Sequence, residues 1–543
     1  MTPDDIEALS SYRGRTPLPD DFDEFWDARM KEADAVPLEW RVEPSEMPPN
    51  GACEYLDLWF RGMGGALLYA KYLRPAQVEA PPVVLQFHGY PGATRSWFEQ
   101  ASFVGMGCAV IALDNPGQGG KSQDVGGFMG TTVAGHIVAG IDGGPENLYY
   151  VRLYQDLRIL CRVVQELGAA GSLDLGRVYV NGGSQGGGMG IACCALNPGL
   201  IARAAILYPF LSDFRKVYEL GADEVAYEGI RYYARWFDPD GTREDEWFGT
   251  LAYIETNHFA HLVRCPVLFG TGLDDVICPP ETQCAVYNDL ACEKRRLLYP
   301  GFGHEEIQDF DDQTLAFFGE AAVGEGEAPY MGNPHATYET VRATPPLALG
   351  EVELRLVVPS TKGPHPVVLM FHDLGRPPRG WFHLTRYVGA GFAVAQLSNR
   401  PDADGSQGSF LSSCGDALAA FMAIADDPRL DGSRIIVFGE GYGGALALDM
   451  ASQMPRRTWK AAALNPYPLG LQLAQGRGVA SPTLLGTCLM DEVASPAEQA
   501  QLAQLMPRLR WLHYPKYAHE RVNAFENEFL AFIYGQGKGP EHV

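Results

Sequence analysis

The chain has 543 residues, 46% of them hydrophobic and 20% charged, so it exceeds what one core usually organises and predicts two folded domains. Its net charge of −25 is spread along the sequence, which disfavours phosphate backbones and anionic membranes and excludes nucleic acid as an expected partner. Eleven cysteines with no CxxC pair read as reduced core thiols, leaving no expected metal and no disulfide framework.

The chain opens on "MTPDDIEALSSYRG", without a basic start followed by an apolar core, and no apolar run is expected to reach membrane-spanning length. A cytoplasmic, soluble protein is the expectation. In "DDFDEFWDARM", Phe22, Phe25 and Trp26 stand at helical spacing and predict the packing face of a helix. Short β-branched strands then alternate with longer helical stretches: "VVLQF", "CAVIALD", "RVYVN", "AAILYPF" and "PVLFGT". That alternation predicts an α/β fold with a mostly parallel sheet covered by helices on both faces.

The third strand of this series enters "VYVNGGSQGGGMGIACCAL", where Gly182-Gly183-Ser184-Gln185-Gly186 has the G-x-S-x-G form of a nucleophile elbow. A serine hydroxyl needs a histidine to take its proton and a carboxylate to orient that histidine, in the chain order serine, acid, histidine. Asp275 follows "CPVLFGTG" and His304 follows "RRLLYPGFG", both at predicted C-terminal strand ends, with Asp274 as the competing acid. Backbone N–H groups of Gln185, just after the serine, and of Tyr90, in the loop after "VVLQFHG", are the expected oxyanion donors. His88 is expected to hold that loop from beneath. The "YEGIRYYARWFDPDGTREDEWF" segment has aromatic residues enough to stack on sugars, and a lid packing on its own core accounts for it equally well.

A second pass of similar anchors follows in the same order. "PPVVLQFHGYPG" is echoed by "HPVVLMFHDLGR", "GTGLDD" by "GTCLMD" and "YPGFGHE" by "YPKYAHE". The echo of "GTGLDD" pairs Asp275 with Asp491 and Asp274 with Met490, which favours Asp275 as the acid. At the second elbow, "IIVFGEGYGGALALDMA", Gly441 stands in the place of Ser184, while Asp491 and His519 remain. Without a hydroxyl at 441 there is no acyl-enzyme route, and Tyr442 should point away from a nucleophile's position. The fold class is therefore a tandem of α/β-hydrolase folds, the second shortened by two lost blocks. The expected domains are 1–322 (catalytic), 323–345 (linker), 346–535 (degenerate copy) and 536–543 (tail). The second copy is expected to serve as a structural partner, with a sugar-orienting role in its old pocket as the alternative.

The first half resembles carbohydrate esterase family seven, the acetyl xylan esterase and cephalosporin C deacetylase group, through "DFDEFWD", "FHGYPG", "DNPGQGG", "GGSQGG", "YPFLSDF", "LDDVICPPETQCAVYN" and "YPGFGHE". The resemblance implies a triad of Ser184, Asp275 and His304, an oxyanion hole of Tyr90 and Gln185, and no cofactor or metal. It also implies an intracellular enzyme that removes acetyl groups from small acetylated carbohydrates and assembles as a homo-oligomer, with the second half expected to contribute to that assembly as a structural partner. The family's Arg-Gly-Gln signature reads Pro116-Gly117-Gln118 here. A general carboxylesterase or dipeptidyl-type peptidase on the same fold, or a sugar-binding pseudoenzyme, are the alternative readings.

Overall fold

The apolar runs of the first half form the middle of a nine-stranded sheet. Its strands are β1 (Trp40–Pro44), β2 (Cys53–Arg61), β3 (Leu67–Pro75), β4 (Val83–Phe87), β5 (Ala109–Leu113), β6 (Val178–Gly183), β7 (Ile201–Leu207), β8 (Val267–Gly272) and β9 (Lys294–Tyr299). They lie in the order β1-β2-β3-β5-β4-β6-β7-β8-β9. From β5 to β9 every neighbouring pair is parallel, whereas β1 with β2 and β3 with β5 are antiparallel. Every residue of β4, β5 and β8 is buried, as helices covering both faces require. This computed structural model describes residues 1–47, 50–222, 226–319, 333–345, 350–469 and 478–535. The expected tail, 536–543, lies outside them.

The second sheet has eight strands: β10 (Ala336–Ala343), β11 (Val352–Pro359), β12 (His365–Phe371), β13 (Ala393–Leu397), β14 (Leu430–Glu440), β15 (Thr458–Leu464), β16 (Thr483–Cys488) and β17 (Leu509–Tyr514). Their order, β10-β11-β13-β12-β14-β15-β16-β17, repeats the first sheet's crossover at its centre. The α/β class expected from the sequence holds for both sheets.

The chain divides into two units, Met1–Pro49, Glu54–Arg95 and Gly107–Glu320 in one, and Asn50–Cys53, Ser96–Met106 and Ala321–Val543 in the other. This differs from the expected boundaries in three places, two of which are residues 50–53 and 96–106, expected within 1–322 and grouped with the second unit. Within the second unit the helix Trp97–Gly105 packs along the helix Trp381–Gly389. Phe98 meets Tyr387, and Phe103 meets Phe382, each pair with ring centroids 5.0 Å apart. The helices come so near that a Cβ on Gly105 would stand 2.3 Å from the Thr385 carbonyl oxygen, and one on Gly389 2.0 Å from that of Ala101. The other difference is that residues 336–343, placed in the 323–345 linker, form β10 and pair antiparallel with β11 along its whole length.

Another correction concerns length and polarity. The helix Gln407–Ala425 is long and apolar enough to meet the spanning criterion, which the sequence reading missed, with half of its apolar window buried. Phe410, Ala417, Ala420, Phe421 and Ile424 sit in the second core, so a core role accounts for its composition. All eleven cysteines are free, and ten of them are buried. In the aromatic segment of the first unit, Tyr227, Tyr233, Trp247 and Phe248 are buried in the core while Trp236 is 62% exposed. Packing on its own core thus explains most of that segment.

The helix Tyr149–Ala169 buries Asp156, whose Oδ1 accepts the Met63 N–H at 2.7 Å. Burial outweighs that bond and the pull of Arg152 and lifts the carboxyl to about 7. Because the folded value lies above the unfolded one, the folded state holds this proton more tightly. The associated stability is present in full below about pH 4 and is lost as pH rises towards 7, a total of about 4 kcal/mol by order of magnitude. Asp156→Asn keeps an acceptor for Met63 and cannot ionise. Its melting midpoint should exceed that of the native chain at pH 8 and lose most of that advantage at pH 4. An equal difference at both pH values would show that Asp156 does not titrate on unfolding.

Candidate active site

Ser184 sits between β6 and the helix Gln185–Leu196 with φ 57° and ψ −124°, a conformation costing a non-glycine residue about 1–3 kcal/mol. Surrounding close contacts impose it. A Cβ on Gly182 would stand 2.3 Å from the Gly186 carbonyl oxygen, and one on Gly186 2.1 Å from that of Phe87 at the end of β4. These two glycines let strand, turn and helix crowd together, and the serine hydroxyl is pushed up at the C-terminal edge of the sheet.

Asp275, three residues beyond β8, and His304, five beyond β9, meet it there. Ser184 Oγ lies 2.9 Å from His304 Nε2, and His304 Nδ1 lies 2.9 Å from Asp275 Oδ2. The other carboxylate oxygen of Asp275 accepts the N–H groups of Ile277 and Cys278 at 2.9 and 2.8 Å. Those bonds fix the carboxylate plane, so the histidine presents Nε2 to the serine. Asp274, the competing acid, points outward with its side chain 58% exposed. Tyr208 lays its ring 4.4 Å from the His304 ring and donates its hydroxyl to the Glu305 carbonyl. It stabilises the histidine's orientation from one face.

Gln185 opens its helix, so its backbone N–H has no intrahelical partner. Its side chain is locked. The amides of Gln185 and Gln118 exchange two hydrogen bonds of 2.8 Å, and Tyr150 donates its hydroxyl to Gln185 Oε1 at 2.7 Å. Pro116, where the family's arginine would stand, offers its carbonyl to the Tyr149 hydroxyl at 2.7 Å. Sequence reasoning missed Gln118, Tyr150 and Tyr208 as supports. The signal available was the Gly-Gln pair of "DNPGQGG" beside the Gln of "GGSQGG". Tyr90 is three residues beyond β4, with its hydroxyl 3.3 Å from His136 Nδ1. His88 holds this loop: Nε2 accepts the Asn115 N–H at 3.1 Å, which leaves Nδ1 to donate to the Gly89 carbonyl at 2.8 Å. Burial lowers its pKa and keeps that ring neutral. Asp275, Cys278 and His304 bring one ligand atom each within 4.8 Å of one another, the spacing a cation could use. Two of those three are engaged in the bond between His304 and Asp275.

In the second unit Gly441 keeps the elbow's left-handed backbone, φ 53°, at the start of the helix Gly441–Gln453. His519 Nδ1 lies 2.7 Å from Asp491 Oδ2. Its Nε2 is bonded to Asp373 Oδ2 at 2.8 Å, a residue the sequence reading passed over. The repeat held the clue, since "FHDLGR" against "FHGYPG" sets Asp373 opposite Gly89. Tyr442 is buried and turns its hydroxyl to Ser413 Oγ at 2.9 Å, away from the elbow as expected. His372 copies His88, donating from Nδ1 to the Asp373 carbonyl at 3.0 Å and accepting the Asn399 N–H on Nε2 at 3.0 Å.

A parallel sheet with helices on its faces, a strained serine between strand and helix, and a histidine and acid after the last two strands define an α/β-hydrolase. Residues 2–321 match the acetyl xylan esterase (AXE1) family. The chain belongs to that family. A solved acetyl xylan esterase 1 from Thermoanaerobacterium sp. JW/SL YS485 is 38% identical, with a TM-score of 0.56, covering 57% of this chain and 97% of that one. An acetyl xylan esterase from Paenibacillus sp. R4 is 30% identical with a TM-score of 0.54, covering 57% and 98%. Among curated proteins, the acetyl esterase Axe7A of Xylanibacter ruminicola is 26% identical over 306 residues, 54% of this chain and 64% of that protein's length.

Proposed function

We propose that this chain is a serine esterase that removes acetyl groups from small acetylated carbohydrates, such as short acetylated xylo-oligosaccharides, through an acetyl-Ser184 intermediate. The observation that carries the reading is the unbroken hydrogen-bond chain from Ser184 through His304 to Asp275, found within the family match. His304 Nε2 takes the hydroxyl proton as Ser184 Oγ attacks the acetyl carbonyl. The tetrahedral oxyanion is held by the N–H groups of Tyr90 and Gln185, each such donor worth about 3 kcal/mol. As the intermediate collapses, the sugar oxygen leaves with the proton from His304. Water then gives a proton to His304 and its oxygen to the acyl carbon, and acetic acid departs with the serine restored. Asp275 orients the ring and stabilises its charge throughout.

The test compares initial rates on p-nitrophenyl acetate and butyrate, with Ser184→Ala as the blank. A site shaped for acetyl groups should prefer acetate by at least the roughly 10- to 200-fold that a single methylene is worth, since butyrate adds two. Equal rates would move the function to a general carboxylesterase. Release of acetate from acetylated xylo-oligosaccharides, followed with the same blank, then checks the carbohydrate.

A further inference from the structure

The second elbow is filled from inside. Asp373 Oδ1 accepts the Tyr442 N–H at 2.8 Å and the Leu374 N–H at 2.9 Å, while Oδ2 meets His519 Nε2 at 2.8 Å. Tyr442 occupies the sequence position of Gln185, so its N–H is the counterpart of a proposed oxyanion donor. His519 Nε2 is the counterpart of the atom that faces Ser184. We propose that the second unit retains a carboxylate-binding site, formed by the Tyr442 N–H and His519, and that Asp373 is its built-in occupant.

Three further observations support the assignment. Both ring nitrogens of His519 face carboxylate oxygens, Asp491 on one side and Asp373 on the other, and each contact requires an N–H. The ring is therefore an imidazolium, and its bonds to the two carboxylates raise its pKa. The space left beside Asp373, Arg376, Gly441 and His519 is about 10 Å³, room for about one water molecule, so no sugar ring enters as the chain stands. Finally, a Cβ at Gly441 would lie 2.1 Å from Asp373 Oδ1. A serine at the elbow would require this carboxylate to move from its place. The ligand class that fits once Asp373 is removed is a small aliphatic carboxylate, which offers two oxygens on one carbon as the aspartate does.

The experiment is calorimetric titration of the full chain carrying Asp373→Gly with sodium acetate, against the unsubstituted chain and against sodium chloride at equal ionic strength. Glycine is the residue at the matching place in the first unit, Gly89. The expected result is one additional saturable acetate site per chain in the variant, absent with chloride. No additional acetate binding in a folded variant overturns the proposal. If Asp373→Gly does not fold, Asp373→Asn keeps the shape and removes the charge, and the His519 ring is titrated by NMR. A fall in its pKa supports the proposal, and an unchanged value overturns it. Since the readout is the difference made by a substitution in the second unit, failure of the esterase reading would leave this result intact.

Discussion

Replacing Ser184 with alanine should lower kcat for acetyl-ester hydrolysis roughly 10⁴- to 10⁶-fold while leaving the melting midpoint unchanged or slightly raised. The expected loss is large because the second elbow offers no substitute for the proposed nucleophile: it carries Gly441, and Tyr442 turns its hydroxyl to Ser413. Stability should be spared because alanine deletes one oxygen from a side chain whose partner, His304, keeps its bond to Asp275. Asp275→Asn should cost about 10⁴-fold, since an amide at that position favours the tautomer that turns a hydrogen, not a lone pair, toward Ser184. Steady-state kinetics on p-nitrophenyl acetate with purified variants check both. Ser184→Ala retaining a tenth of the native rate would place the nucleophile elsewhere in the chain.

Gly186→Ala should damage both fold and activity through a single methyl group. The added Cβ would stand 2.1 Å from the Phe87 carbonyl oxygen and 2.6 Å from its carbon. Both atoms belong to the backbone of β4, so no rotamer change relieves the clash, and helix and strand must part. The expected destabilisation is about 3–5 kcal/mol, with activity falling further than stability because the elbow moves with the helix. Gly249→Ala is the matched control: nothing lies within 4 Å of its Cβ and it sits in the helix Glu244–Leu251, so it should be neutral or slightly stabilising. Melting midpoints and kcat/KM for the two variants, measured together, decide the matter. A normal midpoint and normal activity in Gly186→Ala would show that the sheet and helix tolerate separation.

The positions of Ser184, Asp275 and His304 were legible because each follows a run of β-branched residues, and parallel strands deliver their C-terminal ends to one edge. The choice of Asp275 over Asp274 was legible only through the repeat, and the outward turn of Asp274 agrees with it. β10 was not legible, because "ATYETVRA" alternates charge with modest apolar residues beside a Gly- and Pro-rich stretch; its pairing with β11 supplies what the local pattern lacks. Asp373 was hidden for a different reason. A glycine-to-aspartate exchange in a loop has no periodicity, and its meaning depends on three segments, ending at Asp373, Tyr442 and His519, that only the folded sheet brings together. The grouping of 96–106 with the second unit depended likewise on helix packing across a long separation in sequence.

The duplication supplies an internal control experiment. His88 and His372 keep the same ring orientation and the same two partners in both copies, although one copy has no hydroxyl at its elbow. A feature present whether or not the elbow carries a hydroxyl answers to architecture. By that measure the Phe-His loop is scaffold, and the places where the copies part, Gly89 against Asp373, Gly183 against Glu440, Ser184 against Gly441 and Gln185 against Tyr442 among them, are where the proposed chemistry would be set. With an aspartate at one position and a glycine at another, the second elbow holds an ion pair of Asp373 and His519 where the first holds the bond between Ser184 and His304.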